Sequence, residues 1–352
     1  MSWLAVRDLS DPGSIPFGSA LKQPTDPDAL LARGHFLAEV DALDQPIGTR
    51  TLLSSNAAGS GQFGLLLEAG AEGSVTLACT QGNETIRLRT APDAAMLSGR
   101  LLVSYIWDGP ARNGQLVVTA LGSGKTATAS TNAPFPIPLR LIQSLAAAPD
   151  RCGADPSLMY FGFSDDATHP DLRVSLSASC PVQTTAGPQL IRGIDIDDLI
   201  LTRDNGPLPV RQILKCEVPA LGWFRPLRLR APYFGLAQDV LVAPHQKILL
   251  DGDMIEYLFG EEEVLASTGE LADGASVHPE PRLKTIRYFH LLFDTHCLID
   301  VGGAAMTSLF NPAARPATDS GAAGMPLHHG IVRPDLRPYE ALTLRSLRVS
   351  QV

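Results

Sequence analysis

From Gly34 onward the chain alternates between short apolar runs and polar breaks. HFLAEVDAL, RTLLSS, QFGLLLEAG, SVTLACT, TIRLRT, RLLVSYIWD and QLVVTALG alternate or stay apolar for about 5–8 residues each, separated by Gly, Asn, Asp and Pro. Strands spaced this evenly, with no helical periodicity between them, predict a β-sandwich. Pro134, Pro136 and Pro138 interrupt the pattern before a short return strand expected near Leu139–Ile142. Residues 1–32, rich in Pro, Asp and Ser, read as an irregular lead-in, and the sandwich is expected over 33–165.

A loop-rich link, AAAPDRCGADPS and SDDATHPD, then places a boundary near Asp171. Beyond it, GPQLIRGIDIDDLILTRDNGPLP carries a β-branched strand, Leu199-Ile200-Leu201-Thr202, that enters a tight turn at Asn205-Gly206. Further apolar runs follow in PLRLRAPYFGL, DVLVAPHQKILL, EEVLASTGELADG and TIRYFHLLFDTHCLIDVGG, giving a second β-rich domain over 171–311. Residues 312–352 read as a Pro-rich tail ending in a short helix or strand, YEALTLRSLRV, with His328-His329 exposed on it. The fold class expected for the whole chain is all-β.

Composition fits this reading: 45% apolar and 18% charged residues are globular values, and 31 Gly with 28 Pro imply many turns. A net charge of -9 with no Lys/Arg cluster argues against nucleic-acid binding. No apolar run of about 18 residues is present to span a bilayer. The segment MSWLAVRDLSDPG lacks the basic-then-apolar pattern of a cleavable signal, so the protein is expected in the cytoplasm or exported by another route. Cys79, Cys152, Cys180, Cys216 and Cys297 form no CxxC pair, which is neither a disulfide framework nor a zinc spacing. Gly59-Ser-Gly61-Gln-Phe-Gly64 and Gly122-Ser-Gly124-Lys125-Thr126 mimic nucleotide-binding loops, but a short strand rather than a helix follows the first and Thr119 stands where the second requires a Gly, so both read as hairpin turns. No cofactor or metal is expected.

The first half resembles concanavalin-like or laminin-G-like lectin sandwiches, through Leu101-Leu102-Val103-Ser104-Tyr105-Ile106-Trp107-Asp108-Gly109 followed by Gln115-Leu116-Val117-Val118. The resemblance implies a module that binds a glycan or a protein partner. Trp107 itself reads as a core or turn-packing ring.

The five ordered blocks of the second half resemble a hedgehog/intein (Hint) domain of the type found in bacterial proteins. That resemblance implies a horseshoe-like all-β fold and self-processing. A Cys or Ser at the start of the domain attacks the carbonyl just upstream, a middle-block Thr/Ser and His assist, and another nucleophile resolves the ester. A thiol needs a base or a lowered pKa to react, and the tetrahedral oxyanion needs donors.

Counting back from Gly187 and Asp198 puts the nucleophile of the resemblance on Ser175 and its Thr on Cys180, so both are candidates. Asp197 stands where the family has the Gly of a tight turn. The middle block reads Ala243-Pro244-His245-Gln246-Lys247 where the family has Ser-Pro-x-His-Arg. Ala243 thus replaces a hydroxyl, Gln246 takes the place of His, and His245 falls one residue early, on the opposite face of a strand unless the backbone bulges. Tyr288-Phe289-His290-Leu291-Leu292-Phe293-Asp294-Thr295-His296 resembles the family's Tyr-x-His-x-x-x-Asp-x-His strand, with Thr307-Ser308 in place of a Glu-Ser pair. An uninterrupted strand puts His290, Asp294 and His296 on one face, as a relay, a metal half-site or hydrogen-bonded structural histidines. Two functions compete on these residues. One is self-cleavage by a Cys180 or Ser175 acyl shift with His245, His290, Asp294 and His296 in support. The other is a non-catalytic scaffold whose sandwich binds a glycan or protein.

Overall fold

The computed structural model describes residues 2–11, 13–21, 26, 29–42, 48–57, 63–147, 153–312 and 325–349. Cys152, the first glycines of the Gly59–Gly64 motif and residues 313–324 of the Pro-rich tail lie outside them. The chain forms two units, 1–169 with 221–223, and 170–220 with 224–352.

The first unit has a six-stranded antiparallel sheet in the order Trp3–Asp8, Leu158–Ser164, Arg33–Ala42, Gly99–Asp108, Asn113–Ala120, Thr126–Thr131. A four-stranded sheet runs Arg50–Ala57, Phe63–Ala69, Val75–Gln81, Glu84–Arg89. Alternate residues such as Phe36, Ala38 and Val40 from the first sheet and Phe63, Leu65 and Leu67 from the second belong to one core, as the period of two requires. Each such large side chain contributes about 1.5–3 kcal/mol when taken from water. Trp107 is fully buried, donates from Nε1 to the Leu31 carbonyl at 2.9 Å and stacks on Tyr105 at 5.6 Å, so it is a core ring. Gly122–Gly124 closes the hairpin from Asn113–Ala120 to Thr126–Thr131, and Phe63–Ala69 after the Gly59 motif is a strand.

Three expectations are corrected here. Leu139–Ala147 is an α-helix rather than a return strand. Its buried Leu139, Leu141, Ile142, Leu145 and Ala146 recur at helical spacing, and Leu, Arg, Gln and Ala favour helix. The lead-in contains Trp3–Asp8, and the loop-rich link contains Leu158–Ser164; the two pair with each other antiparallel. Their apolar residues complete one another across the sheet, a long-range pairing that local composition does not announce.

In the second unit one sheet runs Gln212–Pro219, Thr285–Leu292, Leu176–Ser177, Val240–Val242, Leu227–Leu229, Val277–Pro279. The other runs Gly187–Leu190, Pro181–Thr184, Leu199–Thr202, Leu298–Val301, Ala304–Thr307, Lys247–Asp251, Glu263–Ser267, with Gly206–Pro209 hairpinned onto Leu199–Thr202. Thr202 pairs with Gly206 across a three-residue turn, and Gly206 sits at φ 65°, a conformation that favours glycine. Asp197 adopts φ 70°, the left-handed conformation that a Gly would take, and among non-glycine residues Asp tolerates it well.

The end of the chain is part of this unit. Helix Pro338–Val349 and the residues before it place Leu336, Ala341 and Leu344 in the second core. Leu265 and Leu336 exchange backbone contacts through Pro334 O and Leu336 N, both at 2.8 Å. Arg333 joins Glu263 at 2.5 Å and Asp204 at 2.7 Å. His328, expected to be exposed, is 4% exposed, and its Nε2 lies 3.0 Å from the Phe293 carbonyl. No helix among the described residues is long and apolar enough to cross a membrane.

Candidate functional site

The two-residue strand Leu176–Ser177 is the structural reason that residues far apart in sequence meet. Leu176 pairs with Val242 on one side and with Phe289 on the other. Continuing that register by one residue sets Ser175 opposite Ala243 and His290. Backbone bonds extend the ladder there: Ala243 N donates to Ser175 O at 2.7 Å, and Ser175 N donates to Phe289 O at 3.3 Å.

Ser175 is fully buried. Its hydroxyl donates to Gln246 Oε1 and lies 3.4 Å from His290 Nδ1. The Gln246 amide is oriented by its own donors, since Nε2 meets Lys247 O at 2.8 Å and both Thr307 O and Thr307 Oγ1 at 3.3 Å. The carbonyl end therefore faces Ser175. An amide oxygen accepts a hydrogen bond but does not take the proton.

His245 is reached by a turn rather than by a strand bulge. Val240–Val242 ends before it, Lys247–Asp251 begins after it, and Gln246 N bonds Ala243 O at 3.0 Å. Strand parity does not apply inside that turn, and the ring points at the site. Its Nε2 lies 2.9 Å from the carbonyl oxygen of Val174, the residue just upstream of Ser175. A carbonyl only accepts, so Nε2 carries the hydrogen. Burial, and secondarily the neighbouring His290, push this ring down to about 4 despite the bond to Val174, so it is neutral near pH 7. Thr268 Oγ1 donates to Ala243 O at 2.9 Å and Gly269 N to Pro244 O at 2.7 Å, which brace the turn from behind.

His290 Nδ1 lies 2.7 Å from Arg173 O, and its Nε2 lies 3.2 Å from Thr307 O. A neutral imidazole donates through one nitrogen only, whereas the cation would satisfy both carbonyls. Burial opposes the cation and lowers the pKa, while the two carbonyls raise it.

The remaining candidates lie elsewhere. The Cys180 thiol donates to Leu241 O at 3.2 Å and approaches the Ser177 hydroxyl at 3.5 Å. It has no hydrogen bond to His245, Gln246 or His290 among the described residues, and burial pushes it up to about 11. Burial raises the other described cysteines as well, Cys79 and Cys216 to about 12 and Cys297 to about 11, so none is poised as a thiolate. The strand bearing His290 ends at Leu292, so the shared face expected for His290, Asp294 and His296 is not formed. The chain turns there, and Asp294 pairs with Arg211 at 2.8 Å on the surface instead of orienting a histidine. His296 accepts from Val332 N at 3.0 Å and stacks on His328 at 6.1 Å; burial first, then His328, hold it at about 4. Gln246, Thr307 and Thr268, not counted as candidates in the sequence, are in the site. The block spacing had put the first two where the family has His and Glu, which was the available signal. Among the described residues no group of three or more His, Cys, Asp or Glu is arranged to hold a metal ion.

No curated protein matches the chain. Among solved structures, the gp41-1 intein is similar at 13% identity, covering 38% of this chain and 98% of its own, with a TM-score of 0.27. The MchDnaB-1 intein is similar at 13% identity over 37% of this chain and 98% of its own, with a TM-score of 0.26. The CBM40 of the Ruminococcus gnavus IT-sialidase is similar at 15% identity over 48% of this chain and 90% of its own, with a TM-score of 0.29. The sequence family described as Hint domain matches residues 174–313, a span that opens on the Val174-Ser175 pair. Over residues 174–313 the chain thus matches the Hint domain family.

Proposed function

We propose that this Hint domain cleaves its own chain at the Val174–Ser175 bond by an N-to-O acyl shift. The observation that carries the reading is that a histidine N–H is already placed on the carbonyl oxygen of the peptide that precedes a hydrogen-bonded serine hydroxyl. The Ser175 Oγ–C bond to Val174 forms, the Val174 C–N bond breaks, and the hydroxyl proton ends on the freed Ser175 amine. His245 stabilises the oxyanion that develops on Val174 O, a role worth about 10²–10³ in rate for one well-placed donor. His290 Nδ1, 3.4 Å from the hydroxyl, takes the proton only in the tautomer that carries its hydrogen on Nε2 toward Thr307 O, which releases Arg173 O. Water then opens the ester, releasing residues 1–174 as an acid and 175–352 with a free amine.

The test is intact-mass analysis of the purified protein over time, with and without hydroxylamine, which intercepts esters. Fragments 1–174 and 175–352, the first as a hydroxamate when hydroxylamine is present, are the expected result. Full-length chain alone under both conditions overturns the reading.

A second reading is a non-catalytic scaffold whose first unit binds a glycan or protein partner. It is favoured by the Ser175 hydroxyl donating to an amide, which is no base. The same mass analysis separates the two, and binding of residues 1–169 to a glycan array tests the partner directly.

A further inference from the structure

The segment just upstream of Ser175 is built as carefully as the residues downstream. Asp171 and Arg173 form a two-pronged pair, Nε to Oδ1 at 2.8 Å and Nη2 to Oδ2 at 2.6 Å. The Arg173 backbone N–H also donates to Oδ1 at 3.0 Å, and Val174 N reaches Asp171 O at 3.4 Å. Four residues are thereby closed into one turn. Both side chains are about three-quarters shielded, 27% and 25% exposed, and a fork of this kind is stiffer and stronger than a surface ion pair.

What the turn displays is two consecutive carbonyls, each taken by a different imidazole: Arg173 O by His290 at 2.7 Å and Val174 O by His245 at 2.9 Å. The two rings come from different parts of the chain, one from the turn after Val240–Val242 and one from Thr285–Leu292. They can be engaged together only if the backbone from 171 to 174 holds one shape. The geometry points to Asp171 and Arg173 as specificity-determining positioning residues: the domain reads the end of the segment it releases, and accepts an acyl segment closed by a carboxylate–guanidinium turn rather than any upstream chain. This rests on the self-cleavage reading above. A displacement of about 1 Å at a reacting carbonyl costs about 10²-fold in rate, so losing the turn is expected to cost that much.

The experiment uses the full chain with Asp171→Ala, Asp171→Asn and Arg173→Lys. Cleavage rates measured by intact mass are expected to fall about 10²-fold for Asp171→Ala and about tenfold for the other two, each of which keeps part of the turn. A second arm does not depend on cleavage. In the Ser175→Ala background, 15N spectra of the histidine rings are expected to show both the His245 and the His290 resonances moving when Asp171→Ala is added. Unchanged cleavage rates, or rings that do not move, overturn the inference. If the parent chain does not cleave at all, the self-cleavage reading falls by itself, and the ring resonances alone decide whether the turn positions the two carbonyls.

Discussion

His245 Nε2 stands 2.9 Å from the carbonyl oxygen of Val174, on the acyl side of the only peptide bond that the Ser175 hydroxyl could open by attack on its own upstream neighbour. Cys180, five residues further along, bonds Leu241 O instead, and the proposal therefore rests on Ser175.

Ser175→Ala is accordingly expected to abolish cleavage, while Cys180→Ala leaves its rate within about twofold and costs about 1 kcal/mol of stability as a small buried side chain. Intact mass and a urea titration read the two effects. Cleavage that survives Ser175→Ala and stops in Cys180→Ala would reverse the assignment.

Replacing His245 by Ala removes the donor on Val174 O and is expected to slow cleavage about 10²–10³-fold, with His245→Gln recovering part of the loss because its amide N–H can reach the same oxygen. Single-turnover rates over several days measure this. Equal rates in all three chains would remove His245 from the reaction.

The buried histidines also set a pH window for stability. Burial holds His245 and His296 at about 4, below the unfolded value of about 6.5. A folded pKa below the unfolded one means that the contribution is whole above about 6.5 and is lost as pH falls through about 4, on the order of 2 kcal/mol per ring after allowance for partial exposure. Carboxylates such as Glu280, held well below their ordinary range by Arg282 and then Arg228, lose their contribution only at lower pH. The thermal midpoint of the second unit is therefore expected to decline already between pH 6.5 and pH 4. A flat profile across that window contradicts the neutral buried rings.

Leu344, 1% exposed in the second core, is expected to cost about 2–5 kcal/mol when replaced by Ala, although its stretch reads in the sequence as the end of a Pro-rich tail. Chemical denaturation of the variant checks this, and a change under about 0.5 kcal/mol would detach the helix from the core.

Most strands were legible because their apolar residues alternate or cluster and their turns carry Gly, Asn or Asp. The Hint domain was legible through the order of its blocks. The misses share a cause in non-local geometry. Trp3–Asp8 and Leu158–Ser164 are strands because they pair with each other, and Leu139–Ala147 is a helix although the short apolar run after the three prolines predicts a return strand. At the site, counting residues singled out Ser175 and Gln246, whose side chains are hydrogen-bonded to each other. The parity argument at His245 failed because Pro244 and His245 occupy a turn, and the shared face of His290 and His296 failed because the strand stops at Leu292.

The packing of Leu336 and Leu344 into the second core also orders events in time. Ser175, His245 and His290 are synthesised before Leu336 and Leu344, which complete the core of their unit. On the self-cleavage proposal, a chain still growing on the ribosome holds Ser175 in an unfinished domain, and the upstream unit has the remaining period of synthesis in which to fold while still attached.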